Sequence, residues 1–385
     1  MTDLTGVLDY NYGAYKIQPT HGSVYYDANP RTASPMVTPG DLRVASLNVL
    51  NYFTTLDDGV NDICGPSEIM ECRGADTAEE LTRQRDKIIS ALAGIDGDVV
   101  GLIEIENDRD SQVPDYAVAD LVAGLNAMVG AGTYDYIATG AIGTDAIKVA
   151  MIYKPASVTP VGDVAVLDSS YDPDYFDTYN RPVLAVSFED TLTNQRFTVV
   201  VNHLKSKGSD CDDNGDPDLD DGAGNCNLTR KSAATIEVDW LATDPTHAGV
   251  GNILLIGDLN SYDKEDPIDV IKAGPDDIDD TGDDYLDMIE ELQGDTAYGY
   301  VFDAQVGYLD YAMANVNISQ YIVDANFWHI NADEPDIIDY DMTYKADAQD
   351  LLYAPDAYRS SDHDPVVITL NFTALLQYTL PVFFH

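Results

Sequence analysis

The sequence predicts an α/β fold, namely a four-layered α/β sandwich in which helices flank two mixed β-sheets. Apolar runs of strand length alternate with helical patterns early in the chain, but several later strand runs follow each other without a helix between them. This order favours two covered sheets over one doubly wound parallel sheet. With 385 residues, 45% of them hydrophobic, the chain can bury one large core.

The regular part of the chain begins with an alternating strand at 42–49, and the capping box Thr77-Ala78-Glu79-Glu80 marks the start of a helix. Further strands are predicted at 98–104, 147–153, 183–188, 196–203, 252–256, 299–302, 311–314 and 365–372, and further helices around 121–128 and over 229–242. We therefore predict an extended lead-in at residues 1–40, one domain over residues 41–373 and a C-terminal tail at residues 374–385.

The charge of the chain is strongly negative, because 68 acidic residues outnumber 20 basic residues and give a net charge of −48. Such a balance predicts a self-repelling surface suited to salty surroundings. Because salt screens this repulsion, we expect the thermal stability of the protein to rise with salt. No run of eighteen apolar residues occurs, so we expect no membrane partner. We also expect the protein to be a monomer.

The four cysteines form two local pairs, Cys64 with Cys72 and Cys211 with Cys226. Neither pair has the Cys-x-x-Cys spacing of zinc or redox sites, and no His lies nearby. Two disulfides are therefore predicted, and they indicate a protein that works outside the cytosol. The first residues carry no signal-peptide pattern, so we expect a secreted form to have been trimmed.

The loop between the second pair of cysteines has a second interpretation. Side-chain oxygens recur at alternate positions, as they do in calcium-binding loops, on Asp212, Asn214, Asp216 and Asp218. The distal Glu of an EF-hand is missing, although Asp220 and Asp221 could substitute. Bound Ca²⁺ and a solvated acidic loop are both compatible with this pattern.

Polar residues that end apolar strands indicate where chemistry is located. Each alone is most often a turn residue. Together they form a set of carboxylates, carboxamides and histidines at strand ends: Asn48, Glu104, His203, Asp258, Asn260, Asp362 and His363. Carboxylate oxygens hold Mg²⁺, and His or Asp can accept a proton from an attacking water. The set therefore predicts metal-assisted phosphoryl chemistry.

These motifs occur in the order found in the endonuclease/exonuclease/phosphatase superfamily, which includes pancreatic-type deoxyribonuclease and abasic-site endonucleases. The chain resembles this superfamily over roughly residues 41–372, and its closer resemblance is to bacterial extracellular nucleases. The resemblance rests on Asp41 to Phe53, Ile103-Glu104-Ile105, His203 to Gly208, Asp221 to Asn227, Gly257-Asp258-Leu259-Asn260, Tyr308-Leu309-Asp310-Tyr311 and Ser361-Asp362-His363-Asp364-Pro365.

The resemblance implies roles for these residues. Glu104 would be the principal ligand of Mg²⁺ or Mn²⁺, with Asn48 and Asp362 completing the site. Asp258 and Asn260 would orient the attacking water and the scissile phosphate. His363 would act in general acid–base catalysis or transition-state stabilisation, oriented by Asp310, and His203 would be a second imidazole at the phosphate. Arg181 would bind phosphate. Lys205 and Lys207 are either phosphate contacts or plain surface charge.

Two departures from the family pattern bear on the assignment. Abasic-site enzymes have an Asp two residues after the first Asn, where this chain has Leu50, so the resemblance does not extend to abasic specificity. Pancreatic-type enzymes support the first His with a Glu. The corresponding strand here has no Glu, and Asp145 could serve His203 only with a small shift.

The function implied is that of an extracellular, divalent-metal-dependent nuclease acting on DNA or on RNA. A phosphatase or phospholipase of the same fold, acting on inositol phosphates or sphingomyelin, shares the Asp-x-Asn and Ser-Asp-His motifs and is the main alternative. A calcium-stabilised binding module without catalysis is a third reading, which the complete set of expected catalytic residues disfavours.

Overall fold

The computed structural model describes residues 2–11, 14–24, 26, 30–108, 115–279 and 281–373. Its strands are β1 (Gly6–Asn11), β2 (Ala14–Pro19), β3 (Leu42–Tyr52), β4 (Val99–Glu106), β5 (Asp135–Tyr136), β6 (Ile147–Tyr153), β7 (Val158–Leu167), β8 (Val183–Asp190), β9 (Arg196–His203), β10 (Ile253–Asp258), β11 (Tyr285–Asp287), β12 (Tyr300–Phe302), β13 (Gln305–Gly307), β14 (Asp310–Asn315), β15 (Ile322–Phe327) and β16 (Val366–Leu370). Its helices are α1 (Ala78–Ile95), α2 (Tyr116–Val129), α3 (Asn227–Leu241), α4 (Asp266–Ala273), α5 (Met288–Gln293), α6 (Val316–Ser319) and α7 (Asp347–Asp350).

The chain divides into two units, Met1–Ala33 and Ser34–His385. In the first unit β1 and β2 pair antiparallel, with Gly6 opposite Pro19. The sequence predicts only an extended lead-in here, so this pairing is a structural addition to the prediction. The predicted tail at 374–385 lies outside the described residues.

The second unit contains two six-stranded sheets. The first has the order β15-β16-β3-β4-β6-β5, and the second has the order β11-β14-β10-β9-β8-β7. Each sheet is mixed, because β3 pairs parallel to β4 and β9 pairs parallel to β10, whereas their other neighbours run antiparallel. The predicted two mixed sheets are confirmed.

Three hydrophobic clusters separate four layers. One cluster lies between the sheets and includes Val44 and Ile103 of the first sheet and Val199 and Ile256 of the second. The other two pack α1 and α2 on the outer face of the first sheet and α3 and α4 on the outer face of the second. Gly101 permits the close approach of the sheets, because an added Cβ would lie 2.8 Å from a methyl group of Val201. The four-layered sandwich is confirmed.

The predicted elements agree with the structure in type, and the exceptions have local causes. The capping box at Thr77 is present, since its hydroxyl accepts a hydrogen bond from the Glu80 amide at 3.2 Å. The sequence pattern does not predict the edge strand β7, which contains Pro160 and Gly162 and breaks its register with β8 between Val161 and Ala165. Nor does it predict the strands β5, β11, β13 and β15 or the helices α4 to α7. Among the described residues, no helix has the length and apolar character needed to cross a bilayer.

Candidate active site

The first sheet places Asn48 and Glu104 side by side, because they lie near the ends of the parallel neighbours β3 and β4. Both strands interrupt their pairing here, with register shifts between Asn48 and Tyr52 and between Leu102 and Ile105. Glu104 has a φ of 67° at this irregularity, and its Oε2 accepts a hydrogen bond from the Asn51 amide at 2.9 Å. Irregularities of this kind re-aim side chains at strand ends.

The second sheet contributes three polar residues in one row across adjacent strands. Asp258 of β10 is the register partner of His203 on β9 and of Asp310 on β14. Asp258 Oδ1 accepts the Asn260 amide at 2.7 Å, and Asn260 Nδ2 donates to the Leu204 carbonyl at 3.1 Å. The Asp-x-Asn motif therefore forms a turn that fixes both side chains.

The loop before β16 brings His363 to the second sheet. The buried carboxylate of Asp364 anchors this loop by accepting the Asn331 amide at 2.7 Å, and Asn331 Nδ2 donates to the His363 carbonyl at 2.6 Å. His363 Nδ1 then lies 2.6 Å from Asp310 Oδ2. Asp310 is therefore within hydrogen-bonding distance of His363, the residue that it is predicted to orient.

Glu104 and Asp362 form a carboxylate pair that suits a divalent cation. Burial raises the pKa of Glu104, and the negative charge of Asp362 raises it further. The positive charges of His363 and Arg181 lower the pKa of Glu104, but burial and Asp362 outweigh them. Two carboxylates and the Asn48 carboxamide are hard oxygen donors of the kind that Mg²⁺ and Mn²⁺ accept. The donor set therefore fits such an ion.

The two imidazoles of the site have opposite electrostatic surroundings. Burial disfavours the charged form of His363, but Asp310, Asp362 and Asp258 outweigh it and hold its pKa well above the usual value. Burial lowers the pKa of His203 well below its usual value, and nearby positive charges lower it further, Arg181 most of all. His203 Nε2 lies 3.4 Å from Arg181 Nη1, 3.7 Å from Asp258 Oδ2 and 4.0 Å from Glu104 Oε1.

Asp145 is the partner of arginines rather than of His203. Its Oδ2 accepts a hydrogen bond from Arg181 Nε at 2.9 Å, and its Oδ1 accepts one from Arg73 Nη2 at 3.1 Å. His203 Nδ1 is buried without a hydrogen-bond partner among the described residues. The carboxylate that the sequence analysis considers as a support for His203 therefore acts on the neighbouring guanidinium.

The two lysines after His203 have different surroundings. Lys205 donates to the Ser209 hydroxyl, and burial together with the charge of Arg181 lowers its pKa. Lys207 forms an ion pair with Glu265 and lies 4.6 Å from the centre of the Tyr262 ring. Lys205 thus shares the electrostatic environment of Arg181, whereas the charge of Lys207 is already paired.

Both predicted disulfides are present, Cys64–Cys72 and Cys211–Cys226. In the second loop, Asp216 Oδ2 accepts the Thr229 amide at 2.7 Å, and Asn214 Nδ2 donates to the Thr229 hydroxyl at 3.2 Å. These two side chains therefore fix the start of α3. Calcium binding by Asp212, Asn214, Asp216 and Asp218 stays a prediction.

Two further residues, Arg73 and Tyr300, contact the site residues in the structure and are not predicted from the sequence. Arg73 reaches the site through Asp145, and the only signal for it in the sequence is that a scarce base directly follows Cys72. The Tyr300 ring packs on the His363 ring, with 4.5 Å between their centres. The chain has 25 tyrosines, and nothing in the local sequence distinguishes Tyr300 from the others.

Comparison with known proteins identifies the family of the chain. The model of the endonuclease/exonuclease/phosphatase family matches residues 43–371. An endonuclease/exonuclease/phosphatase family protein from Bacteroides thetaiotaomicron superposes with a TM-score of 0.52 at 14% identity, covering 85% of this chain and 96% of that chain. The Bacteroides vulgatus endonuclease/exonuclease/phosphatase gives 0.50 at 15% identity, covering 86% and 100%.

A third similar structure is the mannosyl-6-phosphatase of Bacteroides thetaiotaomicron, with a TM-score of 0.52 at 15% identity, covering 86% of this chain and 100% of that chain. At these identities the structural likeness shows the fold alone. No protein among the curated sequences matches this chain significantly. The family match covers most of the chain, including every predicted catalytic and metal-binding position. The chain therefore belongs to the endonuclease/exonuclease/phosphatase family, whose members are typically metal-dependent hydrolases.

Proposed function

We propose that this protein is a secreted bacterial nuclease that hydrolyses phosphodiester bonds of DNA or RNA with the help of a divalent metal ion. The observation that carries the proposal is the juxtaposition of a carboxylate pair, Glu104 and Asp362, with the hydrogen-bonded pair His363–Asp310. One side of the site suits a cation, and the other side presents a cationic imidazole to an anion. A phosphoester oxygen is the group that both sides can stabilise at once.

Glu104, Asp362 and Asn48 would hold Mg²⁺ or Mn²⁺, which when bound neutralises negative charge on the phosphate. Asp258 would accept the proton of the attacking water. Burial raises the pKa of Asp258 to about 7, so this carboxylate is a stronger base than an exposed Asp. Asn260, fixed by its own turn, would orient that water and the phosphate.

His363 would act as the cation that stabilises the transition state. Its Nδ1 donates to Asp310, which leaves the Nε2–H for a phosphate oxygen. His203 would remain neutral beside Arg181 and contact the phosphate as an uncharged imidazole. The guanidinium of Arg181 and the ammonium of Lys205 would bind phosphate oxygens, whereas Lys207 would first have to leave Glu265.

Secretion is proposed from the two disulfides, which form and persist in oxidising compartments. The net charge of −48 is consistent with salty surroundings. The substrate partner would be nucleic acid, bound by a monomer.

A phosphatase of the same fold is the second candidate, because one of the similar structures is a mannosyl-6-phosphatase. Incubation with supercoiled plasmid, a duplex oligonucleotide, RNA and 4-nitrophenyl phosphate, each with Mg²⁺, Mn²⁺ or EDTA, separates the two candidates. We expect metal-dependent cleavage of the nucleic acids, lost with EDTA and in Glu104→Gln, and retained in the matched surface variant Glu79→Gln. Hydrolysis of 4-nitrophenyl phosphate without nucleic-acid cleavage would contradict the nuclease.

A further inference from the structure

Arg73 lies outside the predicted set of site residues but is connected to it by one carboxylate. Asp145 accepts hydrogen bonds from Arg73 on one oxygen, at 3.1 Å, and from Arg181 on the other, at 2.9 Å. Arg181 in turn lies 3.4 Å from the ring nitrogen of His203. Asp145 thus holds two guanidinium groups next to each other, and one of them contacts the site.

The backbone fixes Arg73 on both sides. The preceding residue, Cys72, is bridged to Cys64, and this disulfide is buried in a small cluster that includes Ala146, the neighbour of Asp145. The following residue, Gly74, has a φ of +84°, and an added Cβ would lie 2.3 Å from the carbonyl oxygen of Asn51. Only glycine permits this close approach to the end of β3. Arg73 is therefore presented by a rigid segment.

The charges around Arg73 indicate an anionic ligand. The positive charges of Arg73 and Arg181 both lower the pKa of Lys205, whose own burial lowers it most, so the three cations lie close together. Asp145 alone forms ion pairs with Arg73 and Arg181 among the described residues. The Arg73 side chain is 38% exposed, and its Nε and Nη1 have no hydrogen-bond partner in the described part of the chain. A guanidinium with free donors matches the paired oxygens of a phosphate.

We propose that Arg73 binds a phosphate group of the substrate beside the scissile bond, and that the Cys64–Cys72 disulfide positions it for this contact. The identity of the substrate rests on the proposed nuclease function, whereas the binding of phosphate by Arg73 does not. Substrate affinity consequently depends on a disulfide whose sulfur atoms do not take part in the reaction.

The first test compares Arg73→Ala with Arg196→Ala, which removes the same charge. Arg196 pairs with Glu189 at 2.7 Å and begins β9, about 23 Å along the strand from His203 at its end. With a duplex oligonucleotide and Mg²⁺, we expect Arg73→Ala to raise KM about tenfold while kcat stays within about twofold. The slope of log(kcat/KM) against log[NaCl] should become more positive by about 0.9. Arg196→Ala should change neither quantity.

Arg73→Lys should restore part of the affinity, because it returns the charge without the planar fork. An unchanged KM together with an unchanged salt slope in Arg73→Ala would overturn the proposal. Titration of inorganic phosphate by calorimetry, with Mg²⁺ present, needs no cleavage and should show weaker binding in Arg73→Ala than in Arg196→Ala. If the protein cleaves no nucleic acid but shows this difference, the nuclease is contradicted and the role of Arg73 is supported.

The role of the disulfide is tested by the double variant Cys64→Ala/Cys72→Ala, made with and without Arg73→Ala. If the disulfide acts through Arg73, its removal should raise KM by a factor similar to that of Arg73→Ala, and adding Arg73→Ala should change KM little further. Fully multiplicative effects on KM would refute the positioning role. A cooperative thermal transition would show that the double variant is folded. Its phosphate binding, measured by calorimetry, then reports the position of Arg73 and not unfolding.

Discussion

His363 and His203 are both buried in the same site, yet their surroundings make one of them a cation and leave the other neutral. Burial lowers the pKa of each imidazole. His363 has a carboxylate at 2.6 Å and two further carboxylates near it, which together hold it as a cation. His203 has a guanidinium at 3.4 Å and remains neutral. Burial favours the neutral form of both imidazoles, and the carboxylates around His363 are what reverse this preference.

The largest expected effect follows from removing the cationic imidazole. His363→Ala should lower kcat for plasmid nicking by about 10²- to 10⁴-fold. The fold-loss in His203→Ala should be about ten times smaller, because a neutral imidazole stabilises less developing charge. Initial rates at pH 7.5 with saturating Mg²⁺ give the comparison. The exposed His247, paired with Asp163 at 2.9 Å, supplies the control His247→Ala. An equal or greater loss in His203→Ala would refute the assigned charges.

The second prediction converts the surroundings of one histidine toward those of the other. Asp310→Asn keeps the shape of the partner and removes the charge that raises the pKa of His363. Since His363 acts when protonated, the fall in kcat at alkaline pH should move to lower pH. A pH profile of kcat from 6 to 10 tests this shift. Asp310→Asn should add little to the loss in His363→Ala, because the two act as a unit, and fully multiplicative losses would reject the pairing.

A third prediction concerns a buried acid on α3, on the other side of the strand that carries His203. Burial raises the pKa of Glu237 to about 8, and the nearby Asn202 carboxamide offsets only part of this rise. Because the folded state holds this proton more tightly than the unfolded state, stability should fall as pH rises from about 4.5 to about 8, by up to about 1.4 kcal/mol per pH unit.

Glu237→Gln removes this titration, so the variant should be more stable than the parent protein at pH 9 and similar to it at pH 5. Chemical denaturation at both pH values measures the difference, with the exposed Glu79→Gln as the control. A pH dependence that is the same in Glu237→Gln and in the parent protein would show that Glu237 is charged in the folded state.

The smallest expected effect is that of salt. Three clustered cations, Arg73, Arg181 and Lys205, would give a slope of log(kcat/KM) against log[NaCl] of about −2.7 if each replaced one counterion on duplex DNA. Screening of the repulsion between DNA and a chain of charge −48 acts in the opposite direction. We therefore expect a slope near zero or positive between 50 and 500 mM NaCl at fixed Mg²⁺, so that activity is retained or rises, and a Tm that rises with salt. A slope at or beyond −2.7 would show that the net charge has no influence on association.

The sequence predicts the architecture and most of the site because both depend on short-range patterns. Apolar runs such as 253–256 identify buried strands, and the polar residue that follows each run identifies the edge where the sheets meet solvent. The charge state of His203 could not be predicted, because Arg181 lies 22 residues away in sequence and reaches His203 only after β8 and β9 pair. The contact between Arg73 and Asp145 spans 72 residues and depends on a disulfide and on packing against Ala146.

Glu104 combines the role of proposed metal ligand with a φ of 67°, a conformation that glycine adopts readily and that costs other residues about 1–2 kcal/mol. Resistance to heat and catalytic competence therefore make opposing demands at this one position. A laboratory selection that rewards only thermal resistance should favour Glu104→Gly, because glycine relieves the backbone and removes the repulsion from Asp362. Retention of Glu104 under such a selection would indicate that a bound cation contributes more to the folded state than the backbone loses.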